Sequence, residues 1–284
     1  MKVLVSGVNG QLGNDVTKEL LKRGHDVVGV DIGEMDITDG RSVEKVMDET
    51  KPDAVVHCAA YTNVDAAEEA ENRETVRLVN TVGTENIAKQ CKKLDCKLIY
   101  ISTDYVFDGM GEEPWKADCK NFRPLNVYGK TKLDGERAVE KYTDKFFIVR
   151  IAWAFGAKGH NFVKTMLKVS DATVRVVNDQ IGTPTYTLDL ARLLADMAES
   201  DKYGYYHATN EGGYISWCDF AKAIFETAGY DTKVESVTTA QYGLSKAARP
   251  FNSRLDKSKL VECGFKPLPS WQDALERYLK EIGY

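Results

Sequence analysis

The chain has 284 residues, 43% of them hydrophobic, 10% aromatic and 29% charged, which excludes a disordered chain and supplies a full apolar core. Lys and Arg number 38 against 43 Asp and Glu, a net charge of −5, and such a mixed acidic surface argues against nucleic-acid binding. No stretch has the ~20 apolar residues of a membrane span, and residues 1–7 lack the apolar region of a signal peptide, so a cytoplasmic protein is expected.

Short apolar runs alternate with helical patterns. Residues 3–5 read as a strand and 11–23 as a helix, with Leu12, Val16, Leu20 and Leu21 on one face and Gly24 just past its end. A second strand follows at 27–30. Val43, Val46 and Met47 mark a helix that stops near Pro52. A third strand spans 54–57, a long helical stretch 65–94, a fourth strand 97–102, a helix 125–142 and a fifth strand 146–149. These strands are apolar at consecutive positions, as suits a parallel sheet covered on both faces. The fold class implied is α/β, a doubly wound parallel sheet. Beyond Arg150 the rhythm is irregular. Residues 1–152 are therefore expected to form the main domain. Residues 153–284 are expected to form mainly a smaller α/β substrate-binding domain, with some segments returning to the main sheet.

Gly7, Gly10 and Gly13 lie between the first strand and the first helix. Glycines there permit a tight turn and close approach of backbone to a pyrophosphate, which the free N–H groups and dipole of the helix N-terminus attract. Asp31 follows 18 residues beyond Gly13, at the end of the second strand. An acid there accepts hydrogen bonds from an adenosine ribose and repels a 2′-phosphate, which moderately favours NADH over NADPH, while Arg41 nearby leaves NADPH open.

Tyr128 and Lys132 stand four apart on the helix at 125–142, hence on one face, and Thr103 ends the fourth strand 25 residues earlier. In a doubly wound fold the carboxyl ends of the strands line the ligand crevice. Tyrosine ionises near 10, too high for efficient proton exchange at neutrality, and an adjacent ammonium is expected to lower that value. The Thr103 hydroxyl is placed to hold a carbonyl oxygen while Tyr128 protonates it. The six cysteines have no CxxC pair and read as buried free thiols. The four histidines lie far apart, so no metal is expected.

These residues resemble the extended short-chain dehydrogenase/reductase superfamily, and within it the dTDP-4-dehydrorhamnose reductase family. The resemblance rests on the glycine turn, residues 59–65, 102–109, 124–132, 150–153, 161–166 and 178–185, and the stretch from Arg249 to Leu255. It implies a Rossmann-type fold and reduction, by NADH or NADPH, of the C4 keto group of a dTDP-linked 4-keto-6-deoxy sugar. That reaction is the last step of dTDP-L-rhamnose synthesis. Tyr128 is then the proton donor, Lys132 lowers its pKa and holds the nicotinamide ribose, and Thr103 binds the keto oxygen. Gly10, Gln11, Leu12, Asp31, Asp36, Ile37, Ala60, Tyr61 and Thr62 line the cofactor. Asp104, Trp153 and Asn161 contact the sugar, and Arg249 and Arg254 are candidates for the substrate pyrophosphate.

Two departures qualify the resemblance. Related 4,6-dehydratases carry Asp-Glu after the strand-four hydroxyl residue, whereas here Asp104 is followed by Tyr105, which points to simple keto reduction. Some relatives are dimers bridged by magnesium on glutamates. Here Asp15 stands near one such position and residues 185–189 hold no glutamate, so a monomer or weak homodimer is expected. Two further readings stay open: a non-catalytic regulatory subunit like the beta subunit of methionine adenosyltransferase, and a reductase of another nucleotide-linked 4-keto sugar.

Overall fold

The computed structural model describes residues 1–170 and 173–284. Its first half runs β1 (Lys2–Ser6), α1 (Gln11–Lys22), β2 (Asp26–Val30), α2 (Gly40–Thr50), β3 (Ala54–His57), α3 (Arg73–Arg77), α4 (Thr84–Leu94), β4 (Lys97–Thr103), α5 (Val127–Tyr142) and β5 (Phe146–Ile151). The second half adds β6 (Ala154–Phe155), α6 (Phe162–Lys168), β7 (Val174–Val177), β8 (Ile181–Gly182), β9 (Thr185–Tyr186), α7 (Thr187–Ala198) and β10 (Gly204–His207). It closes with β11 (Ile215–Ser216), α8 (Trp217–Ala228), β12 (Val234–Val237), α9 (Thr239–Tyr242), α10 (Ser258–Glu262) and α11 (Trp271–Glu281).

The main sheet has the order β10-β5-β4-β3-β1-β2, and every pairing in it is parallel. Strand β10 is supplied by the second half and extends the sheet beyond β5. Val3, Val5, Val56, Ile99 and Val149 face one side and pack with α1 and α7. Leu4, Val55, Leu98, Tyr100 and Ile148 face the other and pack with α2, α4 and α5. Alternate residues of one strand thus serve two cores, which is why the strands read as unbroken apolar runs. A third cluster, centred on Phe155, Tyr186, Phe220, Trp271 and Tyr278, holds the second half together.

The helical stretch expected at 65–94 is broken. A short 3₁₀ turn covers Ala66–Glu68, and a π-helical turn at Leu78–Gly83 separates α3 from α4. The π turn lets the Asn80 amide clasp the backbone of Tyr61, accepting from its N–H at 2.8 Å and donating to its carbonyl at 3.2 Å. Helix α5 begins two residues later than its apolar pattern suggested, because Asn126 caps it by accepting the Gly129 N–H at 2.7 Å. The six cysteines are free thiols; Cys91, Cys96 and Cys218 are buried, whereas Cys58, Cys119 and Cys263 are half-buried. Among the described residues no helix is long and apolar enough to cross a membrane.

Candidate active site

A cleft of about 670 Å³ opens at the carboxyl ends of β1, β2, β4 and β5. Its floor is the turn from Gly7 to Gly13. Gly7 sits at φ +74°, and a Cβ there would lie 2.7 Å from the Ala59 nitrogen. A Cβ on Gly13 would lie 2.2 Å from the Gly7 carbonyl oxygen. Helix α1 starts at Gly10 with no side-chain cap, so its first N–H groups face the cleft. The Gln11 Oε1 atom is buried there without a hydrogen-bond partner. A cleft with a glycine cradle and free helix N–H groups fits a dinucleotide pyrophosphate.

Leu12, Asp36, Ile37, Ala60 and Thr62 line the cleft, together with Asp31. The Asp31 carboxylate accepts the N–H groups of Asn9 at 3.1 Å and Ile32 at 2.9 Å. Tyr61 departs from expectation. It is absent from the cleft lining, its backbone being turned to Asn80.

Thr103, Tyr128 and Lys132 meet on one wall. Tyr128 packs edge-on against Tyr105, with ring centroids 5.8 Å apart. Burial pushes the Tyr128 phenol up, the Asp104 carboxylate adds to the rise, and a hydrogen bond with Thr103 opposes it. Lys132 is 3% exposed and its ammonium lies 4.1 Å from the Tyr100 ring centroid. Burial drops Lys132 to about 7, against an opposing pull from Glu136. The expectation that Lys132 lowers the phenol is therefore corrected for the free protein. Desolvation dominates both groups, and the ammonium is itself only part-charged near neutrality. A phenol that stays protonated is the form a proton donor needs.

Asp104 is 3% exposed, and burial pushes its carboxyl up to about 6. Below the unfolded value of 3.8 the acid is protonated in both states and burial is without penalty. As pH rises from there to about 6, the native state holds the extra proton and stability falls; above it the penalty is complete. Asp104→Asn removes the ionisation. At pH 7.5 the variant is expected to be roughly 2–3 kcal/mol more stable than wild type, with the gain vanishing near pH 4. Urea unfolding at the two pH values checks this, and an equal gain at both would show that the buried charge is not its cause.

Trp153 and Trp217 form the far end of the cleft, stacked with centroids 3.8 Å apart and planes 18° apart. Trp153 is held at φ 52°, a left-handed conformation that costs a bulky residue about 1–2 kcal/mol. Gly182 makes room, since a Cβ there would come within 3.0 Å of the Trp153 indole. Two residues assigned to the substrate by resemblance lie elsewhere. Asn161 caps α6, accepting the Lys164 N–H at 3.0 Å and donating to the Gly156 carbonyl at 2.8 Å; it is tied down by helix geometry. Arg249 is bidentate with Asp65, at 2.7 and 3.1 Å, and is not part of the cleft lining. Trp217 and His160 line the cleft without having been anticipated. Trp217 opens α8, far from the other motifs, and only the packing of the second half brings it to Trp153.

Helix α5 is anchored from beneath. Arg150 and Glu136 are 0% and 1% exposed and form a two-bond ion pair, both distances 2.8 Å. The Ser102 hydroxyl donates to Glu136 at 2.5 Å, and Arg150 donates to the Ala117 carbonyl at 3.0 Å. One pair thus joins α5, one turn past Lys132, to the ends of β4 and β5. An arginine inside the strand Phe146–Ile151 is the sequence signal, since a buried charge requires a partner.

A family model described as RmlD substrate binding domain matches residues 1–283. The chain is 40% identical over 282 residues to the spore coat polysaccharide biosynthesis protein SpsK of Bacillus subtilis (strain 168), covering 99% of this chain and 97% of that one. It is 41% identical over 281 residues to a dTDP-4-dehydrorhamnose reductase of Streptomyces griseus, covering 96% and 91%. The crystal structure of dTDP-4-dehydrorhamnose reductase from Bacillus anthracis str. Ames in complex with NADP superposes with a TM-score of 0.94 at 40% identity, covering 99% of each chain. With its parallel sheet, glycine cradle and Thr–Tyr–Lys wall, the chain belongs to the dTDP-4-dehydrorhamnose reductase family of NAD(P)H-dependent oxidoreductases.

Proposed function

We propose that the protein reduces the C4 keto group of dTDP-4-dehydro-β-L-rhamnose to give dTDP-L-rhamnose, the last step of that synthesis, with Tyr128 as proton donor. The observation that carries this is the convergence of Thr103, Tyr128 and Lys132 on the cleft that begins at the glycine cradle. The bound NADH or NADPH supplies the hydride. The glycine turn and the free N–H groups of α1 hold the pyrophosphate, and Asp31 faces the adenosine ribose. Tyr128 gives its proton to the C4 oxygen, and Lys132 holds the nicotinamide ribose. Trp153, backed by Trp217, offers an apolar surface to the 6-deoxy face of the sugar.

Residues 1–152 serve in this reading as the dinucleotide domain and 153–284 mainly as the substrate domain, in a cytoplasmic monomer or weak homodimer. Asp15 and Asp189 support the absence of a bridging metal. Asp15 accepts from Thr187 at 2.6 Å, and Asp189 accepts from Arg277 at 2.7 and 2.9 Å.

The test is NADH and NADPH oxidation by the purified protein with dTDP-4-keto-6-deoxy-L-lyxo-hexose made in situ. Turnover is expected, with NADH preferred. Lys132 is the one lysine or arginine among the described cleft-lining residues, and Arg41, in the first turn of α2, is the nearby cation that could offset Asp31. Asp31→Ala is expected to relax that preference, and an unchanged ratio of kcat/KM values would show that Asp31 does not read the ribose. Dinucleotide binding without turnover would favour a regulatory role or another keto sugar.

A further inference from the structure

Thr103 and Asp104 close β4 side by side and are 5% and 3% exposed. A threonine hydroxyl has one proton to give and two lone pairs. The Thr103 Oγ1 lies 2.9 Å from Asp104 Oδ1 and accepts the Tyr105 N–H at 3.2 Å. A carboxylate has no proton to offer, so the ionised Asp104 draws the hydroxyl proton away from the cleft. In this state the Thr103 donor is engaged away from the cleft.

Protonation of Asp104 reverses the chain. The carboxylic acid donates to Thr103 Oγ1, and the Thr103 hydroxyl proton turns to the cleft. We propose that Asp104 is a positioning residue for the keto reduction: the direction of its hydrogen bond with Thr103 sets whether that hydroxyl donates to the substrate oxygen. This rests on the reductase reading above.

The surroundings of Asp104 favour its protonated form. Its Oδ2 atom is buried without a hydrogen-bond partner. The groups facing it are the Tyr105 phenol on the next turn, the Tyr128 phenol on α5 and the Ser253 hydroxyl from the C-terminal half. The cations of neighbouring elements are engaged elsewhere, Arg249 by Asp65 and Lys132 over Tyr100. Burial already brings the carboxyl to about 6 in the free protein, and a bound substrate that excludes water raises it further.

Two measurements test this. The first is the pH profile of kcat between pH 5 and 8.5, with the keto sugar nucleotide and NADH, for wild type, Asp104→Asn and Thr103→Val. Wild type is expected to gain about tenfold or more towards acid, the scale of a donor to a developing oxyanion, with a midpoint at or above about 6. The step is expected to vanish in Asp104→Asn and also in Thr103→Val, where Asp104 has no hydroxyl to orient. A flat wild-type profile, the same step in Asp104→Asn, or its survival in Thr103→Val overturns the proposal. The second needs no turnover. In protein labelled with ¹³C at aspartate carboxyls, the Asp104 titration, assigned by its loss in Asp104→Asn, is expected to move upward in Thr103→Val, because the carboxylate loses its donor. An unmoved midpoint overturns the proposal. Absent turnover in wild type counts against the reductase reading instead, and the titration then decides this one.

Discussion

Tyr128→Phe is expected to lower kcat by 10²–10⁴-fold while NADH binding stays as in wild type. The substitution deletes one oxygen and keeps the ring, so the edge-on contact with Tyr105 at 5.8 Å and the start of α5 persist. The loss corresponds to about 3–5 kcal/mol of transition-state stabilisation. Because burial holds the phenol up, its own ionisation is not expected to limit wild-type activity up to pH 9. Single-turnover oxidation of NADH by stopped flow separates the chemical step from product release. A rate within a few-fold of wild type would remove Tyr128 from the role of acid.

Arg150→Met is expected to destabilise the protein by roughly 3–5 kcal/mol, because it leaves the Glu136 carboxylate buried without its counter-charge. The side chain is 0% exposed, and its guanidinium also lies 4.8–5.1 Å from the rings of Phe107, Phe122 and Tyr205. Methionine keeps much of that packing, so the charge is what the variant removes. In a scanning experiment the fall in Tm is expected to be on the order of 10 °C. The double variant with Glu136→Gln is expected to recover part of the loss, since the orphaned charge is gone. A loss below about 1 kcal/mol in the single variant would show that water reaches Glu136. The pair also sets where α5 sits, so Lys132 and Tyr128 shift together if it is broken.

The two variants probe layers that differ in how far the sequence revealed them. Tyr128 was legible because its chemistry is local: Lys132 is one turn away, and the end of β4 brings Thr103. The Arg150–Glu136 pair was not read in advance, although an arginine inside an apolar strand signals a buried partner. Which acid answers it depends on how α5 lies across β4 and β5. Arg249 shows the converse. Guanidinium chemistry suits phosphate, yet the fold brings Asp65 within 2.7 Å, and the local carboxylate takes the charge.

By itself, the sequence determined the parallel α/β sheet, the glycine cradle and the wall of Thr103, Tyr128 and Lys132. Each depends on spacing within one element or one turn: consecutive apolar residues in a strand, glycines where a Cβ would collide, a tyrosine and lysine one helical turn apart. The tertiary structure alone decided which segment of the second half returns to the sheet, the stacking of Trp217 on Trp153 and the use of Asn161 as a helix cap. It also decided the raised phenol of Tyr128 and the bond from Thr103 to Asp104. These depend on partners distant in the chain and on the removal of water, and desolvation is a property of the packed interior that no local spacing encodes.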